Sequence, residues 1–341
     1  MKIIPLHPPL EKELSKETRM KKGPVEKLCG AIDVGGTKIS SALFAQEAQM
    51  LFKNKIPIDK SKADKPAQQI IKIIQSLENY ARAEKNEIQA VGICIPGVVY
   101  QKSGLVWAPN IPGWDHYPLK EKIREKVRLP LVLDSDRSAY VLGEAWCGAA
   151  KGMKDVVFLA VGTGIGAGIL IDGKVCRGAE DIAGAVGWFA LDPDFKKEYA
   201  DMGCFEAEAS GNSVARKAIL FLRAGESSMM REMVSGEIEK ITAEVVVKAA
   251  EKKDIVAIKI IDSVVGYLAM GIANIISILN PEMIVLGGGL FQAGHLLLDP
   301  VRREFKKWAQ PLAARNVKVE LSQLGEDAGL YGAGKLAWES I

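Results

Sequence analysis

A glycine-rich turn between two apolar, strand-like runs occurs twice in this chain of 341 residues. The first turn is Asp33-Val34-Gly35-Gly36-Thr37-Lys38, with apolar runs at residues 28–32 and 39–44 on either side. The second is Gly162-Thr163-Gly164, about 127 residues further on, and it joins apolar runs at 156–161 and 166–171. Two hairpins of the same kind predict two related lobes that face one ligand.

The first turn carries the groups that suit a polyphosphate. Glycines let backbone N–H groups approach phosphate oxygens closely, and clusters of such groups attract anions. The carboxylate of Asp33 suits a hydrated Mg²⁺ beside the phosphates, because hard cations prefer oxygen ligands. Taken by itself, the turn is equally typical of an ordinary β-hairpin with Gly-Gly at its tip.

A third glycine turn makes chance turn chemistry less probable. Gly287-Gly288-Gly289 follows the strand-like run 283–286 and precedes a helical region. Single glycine turns are common for conformational reasons alone. Three of them at strand ends indicate a shared binding role.

The rest of the chain alternates between strand-like and helix-like segments, which predicts an α/β fold with mixed sheets. We expect strands near residues 29–33, 39–44, 48–53, 90–95, 131–134, 156–161, 166–171, 283–286 and 317–321. We expect helices near residues 66–84, 118–126, 137–147, 212–223, 242–252, 255–279, 298–309 and 328–338. The helix at 255–279 is apolar on nearly all faces, so it is predicted to lie between layers.

Composition and charge argue against several classes of function. The 45 basic and 42 acidic residues leave a net charge of +3, so no broad basic surface for nucleic acid is expected. Residues 1–26 are charged and contain proline, and we interpret them as a loosely docked N-terminal arm, too short for a winged-helix DNA-binding domain. No secretory signal is visible, and the longest uncharged apolar stretch, 264–279, is too short for a membrane span.

The cysteines and histidines indicate a reduced, metal-poor protein. The five cysteines form no C-x-x-C pair, which favours free thiols and a cytoplasmic location. The three histidines, His7, His116 and His295, build no H-E-x-x-H or similar metal motif.

Short motifs follow one another in a specific order from Cys29 to Trp338. They include Gly-Ile-Cys-Ile-Pro-Gly at 92–97 and Ala-Pro-Asn-Ile-Pro-Gly-Trp at 108–114, together with pieces at 31–38, 136–144, 149–152, 162–166, 203–206, 210–211, 280–281 and 287–289. Their order resembles the ROK family of sugar kinases and sugar-responsive repressors, within the ATPase superfamily of actin, hexokinase and the heat-shock chaperones.

The resemblance implies an α/β fold of the two-lobed, actin-like (ribonuclease H-like) kind, with a cleft between the lobes. It implies a small lobe of residues 27–135 plus 326–341 and a large lobe of residues 136–325. It also implies a homodimer or homotetramer that binds a small molecule. From the charge balance and the lack of a DNA-binding domain or membrane span, we expect neither nucleic acid nor membrane as a partner.

The resemblance assigns Asp136 as the general base that takes the proton from the attacking sugar hydroxyl. Asp136 follows the predicted strand 131–134 and opens a helix. The family usually has Asn-Asp here, whereas this chain has Ser135-Asp136, so Ser135 keeps a hydrogen-bonding side chain of shorter reach in the substrate site. The alternative interpretation is a helix N-cap, because Ser and Asp at a helix start accept hydrogen bonds from free N–H groups.

The resemblance also implies ligands for the nucleotide and the acceptor. ATP phosphates would lie against Gly35, Gly36, Thr37, Lys38, Gly162, Thr163 and Gly164, and the adenosine against Gly287, Gly288 and Gly289. Asp33 would hold Mg²⁺ through water, while Asn110 and Glu206 would bind sugar hydroxyls. The alternatives are a solvated lysine for Lys38, a turn residue for Asn110 and an exposed acid at a helix start for Glu206.

Residues 183–188 depart from the family pattern. ROK proteins usually carry A-G-E-x-G-H there, whose Glu and His hold sugar hydroxyls, whereas this chain has Ala185 and Trp188 at those places. Gly187 is kept, so Gly187 and Trp188 are expected to line the acceptor site. Because a site built to hydrogen-bond a hydroxyl discriminates strongly, the change either alters the choice of acceptor or accompanies lost catalysis.

The same histidine and three cysteines usually bind a structural zinc ion in the family. The first two cysteine positions are Lys197 and Tyr199 here, and only Cys204 is kept. A lone thiol cannot build the closed tetrahedral site of a structural Zn²⁺, so no zinc is expected.

The retained Asp33, Asp136 and three glycine turns favour an active enzyme. We expect a kinase that uses ATP and Mg²⁺ to phosphorylate a hydroxyl of a sugar, a sugar derivative or a cyclic polyol. The alternative, from a different class, is a non-catalytic sugar-sensing or regulatory protein of the same family, expected to lack its own DNA-binding domain. The sequence does not identify the acceptor, because the recognition segment is where the family pattern changes.

Overall fold

The computed structural model describes residues 27–341, so the expected arm at 1–26 lies outside the described residues. The strands are β1 (Lys27–Val34), β2 (Lys38–Phe44), β3 (Met50–Pro57), β4 (Glu87–Ile95), β5 (Val98–Val99), β6 (Val106–Trp107), β7 (Leu131–Ser135), β8 (Val156–Val161), β9 (Ile165–Ile171), β10 (Lys174–Val175), β11 (Met283–Gly287) and β12 (Lys318–Leu321). The α-helices are α1 (Asp64–Ala83), α2 (Leu119–Arg124), α3 (Asp136–Cys147), α4 (Tyr199–Met202), α5 (Cys204–Ala209), α6 (Gly211–Arg223), α7 (Met230–Met233), α8 (Ala243–Glu251), α9 (Ile255–Leu279), α10 (Gly294–Glu304), α11 (Pro311–Asn316) and α12 (Ala328–Glu339).

Two five-stranded sheets form the two lobes. The first has the order β3-β2-β1-β4-β7, and the second has the order β10-β9-β8-β11-β12. In each sheet an antiparallel hairpin, β1–β2 or β8–β9, lies beside strands that run parallel. Because parallel strands end at the same edge of a sheet, the carboxyl ends of β1, β4 and β7 lie together.

Strand alternation separates the faces of the first sheet. Leu28, Ile32 and Val34 of β1 belong to the core shared with α1 and α2. Ala31 belongs instead to the core shared with α3 and α12. Successive side chains point to opposite faces, so Asp33 shares the face of Ala31, on the side of α12.

Helices α3 and α12 pack against each other between the two sheets. A methyl group on Gly332 of α12 would come within 1.8 Å of the carbonyl oxygen of Ala139 in α3. One on Gly143 of α3 would come within 2.5 Å of the carbonyl oxygen of Ala328. The two backbones therefore touch where the lobes join, and this fixes α3 close to both sheets.

Helix α9 lies inside the core of the large lobe, as its apolar sequence predicts. Ile260, Val264, Leu268, Ile272 and Ile276 are all buried there. The helix is long and apolar enough to cross a membrane, but more than half of its most apolar window is buried inside the protein. A core helix of a folded lobe accounts for its composition.

The predicted elements are found, with differences at the ends of some of them. The strand expected at 48–53 lies instead at Met50–Pro57, because Glu47 and Ala48 take positive φ angles of 56° and 62° in a preceding turn. The helix expected at 298–309 runs over Gly294–Glu304 and ends in a 3₁₀ turn. The short elements β5, β6, β10, α4, α5, α7 and α11 are not predicted, since they are too short for a periodic pattern.

Candidate active site

Two carboxylates lie at the edge of the first sheet where parallel strands end. Asp33 is near the end of β1, and Asp136 is the first residue of α3, directly after β7. Cys94 of β4 is paired in register with Asp33 on one side and with Asp134 of β7 on the other. The folding of the sheet thus brings together the predicted metal ligand and the predicted base.

Asp136 is not the N-cap of α3. The cap is Ser135, whose hydroxyl accepts a hydrogen bond from the N–H of Ser138 at 3.2 Å. Asp136 Oδ1 accepts one from the N–H of Arg137 at 2.8 Å, and the hydroxyl of Tyr140 lies 3.5 Å from its Oδ2. The helix therefore has a cap other than Asp136, and Asp136 Oδ2 has only the long contact with Tyr140.

Burial raises the pKa of Asp136 to about 6, and the negative charge of Asp33 adds to the rise, while Arg137 opposes it. A general base works best when its pKa lies near the operating pH, since it is then ionised yet still binds a proton well. The raised pKa of Asp136 meets this condition.

Asp33 accepts a hydrogen bond from a thiol and lies close to the start of α12. The Sγ–H of Cys94 donates to Asp33 Oδ1 at 3.3 Å. A methyl group on Gly329, at the start of α12, would come within 2.7 Å of Asp33 Oδ2. Burial raises the pKa of Asp33, and the hydrogen bond from Cys94 opposes that rise.

The donor chemistry around Asp33 fits a hydrated Mg²⁺. The carboxylate is only partly buried and lies beside Asp136 and the first glycine turn. Mg²⁺ keeps several waters and is usually bound by one or two carboxylates together with substrate phosphates. A bound cation would also offset the repulsion between the two acidic side chains.

The first glycine turn is closed by its own backbone and leaves space above it. The N–H of Gly35 donates to the carbonyl of Lys38 at 2.8 Å. A methyl group on Gly36 would meet no atom within 4 Å, and the side chain of Thr37 is exposed. The turn therefore has room for a ligand directly over the backbone.

Lys38 has a partner other than a phosphate in this structure. Its Nζ donates to Glu326 Oε2 at 2.8 Å, and Lys55 Nζ lies 3.2 Å from the same oxygen. The hydrogen bonds from these two lysines lower the pKa of Glu326 to about 2. The three side chains are all exposed, so an incoming anion can compete with Glu326 for the cations.

The second and third glycine turns meet at the end of the second sheet. A methyl group on Gly162 would lie 3.8 Å from the backbone nitrogen of Gly289, and one on Gly289 would meet nothing within 4 Å. Gly287 is paired with Ala160 across β11 and β8. Gly288 has a φ of 93°, a conformation that favours glycine. Thr163 is exposed at the tip of the second turn.

Helix α6 begins at the second turn. The N–H of Gly211, the first residue of α6, donates to the carbonyl of Gly162 at 2.8 Å. The start of a helix attracts anions through its free N–H groups and its dipole. The N–H groups of Gly211 and Ser213 are already bonded, so α6 contributes mainly its dipole at this end of the second sheet.

The start of α3 connects the residues at the end of the first sheet with those at the end of the second sheet. The carbonyl oxygen of Arg137 lies 1.9 Å from where a methyl group on Gly168 would stand. The Cδ atom of Arg137 lies 2.7 Å from where a methyl group on Gly166 would stand. Glycines in β9 thus let the residue next to Asp136 lie directly on the second sheet.

Of the predicted acceptor residues, Glu206 and Gly187 lie together beside the second turn. Glu206 Oε2 accepts a hydrogen bond from the N–H of Ile165 at 2.7 Å, which supports the turn that ends at Gly164. A methyl group on Gly187 would come within 3.2 Å of this carboxylate. Trp188, on the same segment, is 57% exposed.

Ser135 and Asn110 lie in different surroundings. The hydroxyl of Ser135 is buried and lies 3.0 Å from the hydroxyl of Ser138. Asn110 is exposed in the loop after β6, and its backbone carbonyl accepts from Lys60 Nζ at 3.1 Å. The amide side chain of Asn110 has no hydrogen bond to another described residue, so it is available to a ligand.

The segment that would carry zinc ligands in the family holds an ion cluster instead. Glu208 of α5 accepts hydrogen bonds from Tyr199 Oη at 2.5 Å and Lys196 Nζ at 2.6 Å, and Lys217 Nζ lies 2.9 Å from its other oxygen. Cys204 packs beside Tyr199 and Ala207. Among residues 27–341, no three His, Cys, Asp or Glu side chains are grouped as metal ligands. The absence of zinc stays a prediction.

Some residues of the site were not identified from the sequence. Cys94 and Gly329 contact Asp33 from β4 and α12, and Arg177 forms an ion pair with Asp134. Cys94 lies within the Gly-Ile-Cys-Ile-Pro-Gly motif, so its location at a strand end was a usable signal. Gly329 and Arg177 are distant in sequence from their partners, and no local pattern predicts those contacts.

Two α/β lobes joined by a central helix pair, with glycine turns and carboxylates between them, define the actin-like class of two-lobed ATPase folds. The chain belongs to the ROK family, whose family model matches residues 29–340. A glucokinase from Halalkalibacterium halodurans is 33% identical over 314 residues, covering 89% of this chain and 93% of the relative. The crystal structure of a ROK glucokinase from Streptomyces griseus, in complex with glucose and AMPPNP, is 32% identical with a TM-score of 0.73, covering 92% of this chain and 99% of that one.

The family also contains regulators. A xylose repressor from Caldicellulosiruptor bescii is 30% identical to this chain over 296 residues, covering 86% of the chain and 72% of the repressor. The similarity therefore establishes the family and the fold, and both kinases and repressors are among the similar proteins.

Proposed function

We propose that the chain is a kinase that transfers the terminal phosphoryl group of ATP, with Mg²⁺, to a hydroxyl of a sugar, a sugar derivative or a cyclic polyol. The observation that carries the proposal is the pair Asp33 and Asp136. These carboxylates share one strand-end edge, and the pKa of Asp136 is raised to about 6. A sensor that only binds a ligand does not need a carboxylate with a pKa raised in this way.

Each residue has one task in the proposed reaction. Asp136 accepts the proton of the attacking hydroxyl and orients its oxygen. Bound Mg²⁺-ATP supplies the phosphoryl group, and Asp33 would hold the ion through water. Phosphate oxygens approach the backbone over the turns of Gly35, Gly36, Gly162 and Gly164, in which the N–H groups of Gly35 and Gly162 are bonded to carbonyls of their own turns. Gly287, Gly288 and Gly289 leave room for adenosine. Catalysis of this kind depends mainly on positioning and charge neutralisation.

Lys38, at the proposed nucleotide site, is paired with the carboxylate of Glu326. Lys38 binds Glu326 in this structure, and a phosphate group would compete for the same ammonium. Because the pair is exposed, exchanging one anionic partner for another costs little. Lys38 is therefore assigned to the phosphates of the bound nucleotide.

The acceptor side favours a compound other than a common hexose bound in the usual way. Ala185 and Trp188 replace a carboxylate and an imidazole, and Trp188 presents an exposed aromatic face. Glu206, Asn110 and Gly187 remain as candidates for acceptor contacts, and Ser135 contributes a buried hydroxyl. An apolar aromatic surface suits the C–H face of a ring better than it suits a hydroxyl.

A screen of acceptors tests the proposal. ADP release is measured with Mg²⁺-ATP and each of a set of hexoses, amino sugars, N-acetylated sugars and inositols, and product is confirmed by mass spectrometry. The proposal expects stoichiometric phosphorylation of at least one of them. If no compound is phosphorylated, but several raise the melting temperature, the kinase assignment is wrong.

A non-catalytic sugar sensor is the second candidate. It is supported by the similarity to a xylose repressor and by Ser135, whose hydroxyl is turned to the helix cap rather than left free. The same screen separates the two functions, since a sensor shows thermal stabilisation by a sugar without ADP release.

We further infer that the protein acts in the cytoplasm as a homodimer or homotetramer without zinc. The five free cysteines fit a reducing compartment, and Lys197 and Tyr199 stand where zinc ligands would be needed. Light scattering of the purified protein and metal analysis by mass spectrometry test the two statements separately.

A further inference from the structure

Four residues join the two lobes at the acceptor side of the cleft. Asp134 at the end of β7 and Gln101 after β5 belong to the first lobe. Arg177 and Asp181, in the loop after β10, belong to the second. We call these four residues the interlobe clasp.

The stronger of its contacts is an ion pair. Arg177 Nε and Nη2 both donate to Asp134 Oδ2, at 3.0 and 2.5 Å. The other oxygen of Asp134 accepts from the N–H of Ser135 at 2.8 Å. The Asp134 side chain is only 4% exposed, so without Arg177 it would be an unpaired charge in a buried place. Such a charge strongly disfavours any arrangement in which its partner has moved away.

The second contact reinforces the first. The N–H of Gln101 donates to Asp181 Oδ2 at 3.0 Å, and the amide of Gln101 donates to the carbonyl of Leu133 at 3.1 Å. Gln101 therefore holds the loop of the second lobe and the end of β7 at the same time. Both contacts of the clasp converge on the strand that leads to Asp136.

The loop that carries Arg177 leads directly into the recognition segment. The N–H of Ala183 donates to the carbonyl of Arg177 at 2.9 Å, which closes the loop into a compact turn. Gly184 follows with a φ of 88°, and a methyl group there would come within 1.9 Å of the carbonyl oxygen of Ala167. Arg177 and the segment that leads to Ala185 and Trp188 therefore belong to one closed turn that is anchored on β9.

We propose that Arg177 is a positioning residue of the phosphotransfer site, acting through Asp134. The clasp sets the distance between Asp136, two residues after Asp134, and the acceptor-recognition segment at 185–188. The kinetic consequences rest on the proposed function, whereas the coupling between the lobes does not.

The kinetic test uses Arg177→Gln, Asp134→Asn and the double variant, with Arg223→Gln as the matched control. Arg223 pairs with Glu239 on the surface and has no connection to the clasp. Each single variant is expected to lower kcat/KM for the acceptor about 100-fold, since a misplacement of about 1 Å has that effect. KM for ATP should change less than about twofold, and more ADP should be released per product formed. The double variant should be no worse than the worse single variant, because both changes break the same contact.

Three outcomes of the kinetic test would overturn the proposal. They are unchanged kinetics in Arg177→Gln, equal losses in the acceptor and ATP parameters, and additive losses in the double variant. Arg177→Lys keeps the charge but loses the planar fork, so an intermediate loss supports the proposal and a full rescue contradicts the role of the guanidinium geometry.

Hydrogen–deuterium exchange of the full chain without ligands tests the clasp independently of catalysis. In Arg177→Gln, amide exchange should become faster both at 98–107 in the first lobe and at 176–188 in the second, and Arg223→Gln should match the parent. Faster exchange in the second lobe alone, or in neither, refutes an interlobe role. If the parent protein phosphorylates no acceptor, the proposed function fails, and this measurement still decides whether the clasp exists.

Discussion

The carboxylates at the proposed nucleotide end of the cleft and those at the proposed acceptor end have opposite surroundings. At the nucleotide end, Gly36 and Gly289 face open space, and Asp33 and Asp136 repel each other with few hydrogen bonds to either. At the acceptor end, Glu208 is surrounded by Tyr199, Lys196 and Lys217, and Asp134 is bound by Arg177. Groups of the first kind are left for a ligand, whereas groups of the second kind already satisfy one another.

The contrast between the two sets of carboxylates shows which of them a ligand can still reach. Polar groups with few internal partners raise the energy of the folded state, so their presence at the nucleotide end indicates that a ligand uses them. Mutually satisfied groups at the acceptor end stabilise the protein but are not available to hydroxyls. Under the proposed function, the residues for phosphoryl transfer are kept while acceptor recognition depends on other residues.

The largest effect is expected for the base. Asp136→Asn should lower phosphoryl transfer about 1,000-fold, because an amide cannot accept the proton of the attacking hydroxyl and general bases typically contribute 10²–10⁴. KM for ATP should change little. Steady-state kinetics with the acceptor found in the screen measure both quantities, and pH–rate profiles of the parent should fall below a pH of about 6.

The control is Asp201→Asn in α4, an exposed acid that lies in sequence between Trp188 and Glu206. It should leave the rate unchanged. Equal rates in Asp136→Asn and the parent would show that the unsatisfied carboxylates serve binding or structure rather than proton transfer, and the comparison between the two ends would lose its catalytic meaning.

The same substitution should stabilise the protein in a pH-dependent way. Burial favours the neutral form of Asp136, so its pKa is raised from 3.8 to about 6 and the ionised form destabilises the folded state at neutral pH. The stability that the protonated form provides is present below pH 3.8 and is lost as the pH rises through about 6. Asn resembles the protonated carboxyl, so Asp136→Asn should gain up to about 3 kcal/mol at pH 8.

Urea denaturation at two pH values measures this gain. At pH 5 the parent is already largely protonated at Asp136 when folded, and the gain should shrink to about half. A gain that is equal at both pH values, or a loss of stability, would show that Asp136 is not held in an environment that disfavours its charge.

The open space above the first turn gives a smaller effect on binding. Gly36→Ala adds a methyl group that meets no atom within 4 Å in the free protein but lies where phosphate oxygens must approach the backbone. KM for ATP should rise roughly tenfold, equivalent to about 1.4 kcal/mol, with little change in melting temperature. KM for the acceptor should stay the same.

The matched control is Gly266→Ala in α9, where a methyl group also meets nothing within 4 Å. This change should stabilise the helix slightly, by up to about 1 kcal/mol, and leave both KM values as they are. Nucleotide binding that is unaffected by Gly36→Ala would place the phosphates elsewhere and remove the first turn from the nucleotide end.

The nucleotide end is also the part that could be predicted from sequence. Each glycine turn is local and follows an apolar strand, and three such turns at strand ends seldom occur together by chance. The strands themselves alternate large and small residues, as in Leu28, Ile32 and Val34 against Ala31 in β1. Fold class and the locations of Asp33 and Asp136 therefore follow from short stretches of chain.

The acceptor end could not be predicted in the same way, because its contacts join residues that are far apart in sequence. Arg177 and Asp134 are 43 residues apart, and Gln101 and Asp181 are 80 apart. Nothing near Glu208 in the sequence indicates that Lys217 and Tyr199 converge on it. The loss of the family pattern at Ala185, Trp188, Lys197 and Tyr199 was visible, but the ion cluster that stands there requires the packing of α5 against α6 and α9.

The smallest effect is expected within that cluster. Tyr199→Phe removes the hydroxyl that donates a hydrogen bond to Glu208. Lys196 and Lys217 stay in place, so the carboxylate remains paired. The free energy of unfolding should fall by about 1 kcal/mol, the typical net value of one hydrogen bond. Since the segment is an internal clamp rather than a ligand site, KM for ATP and for the acceptor should both stay within about twofold of the parent.

Tyr100→Phe supplies the control, because the ring of Tyr100 stacks on His116 and its hydroxyl has no hydrogen bond to another described residue. It should unfold with the same free energy as the parent. A large rise in KM for the acceptor in Tyr199→Phe, without a matching loss of stability, would mean that the hydroxyl contacts the acceptor. The hydrogen-bonded groups around Glu208 would then help to recognise the acceptor. The carboxylates at the two ends of the cleft would differ less than we propose.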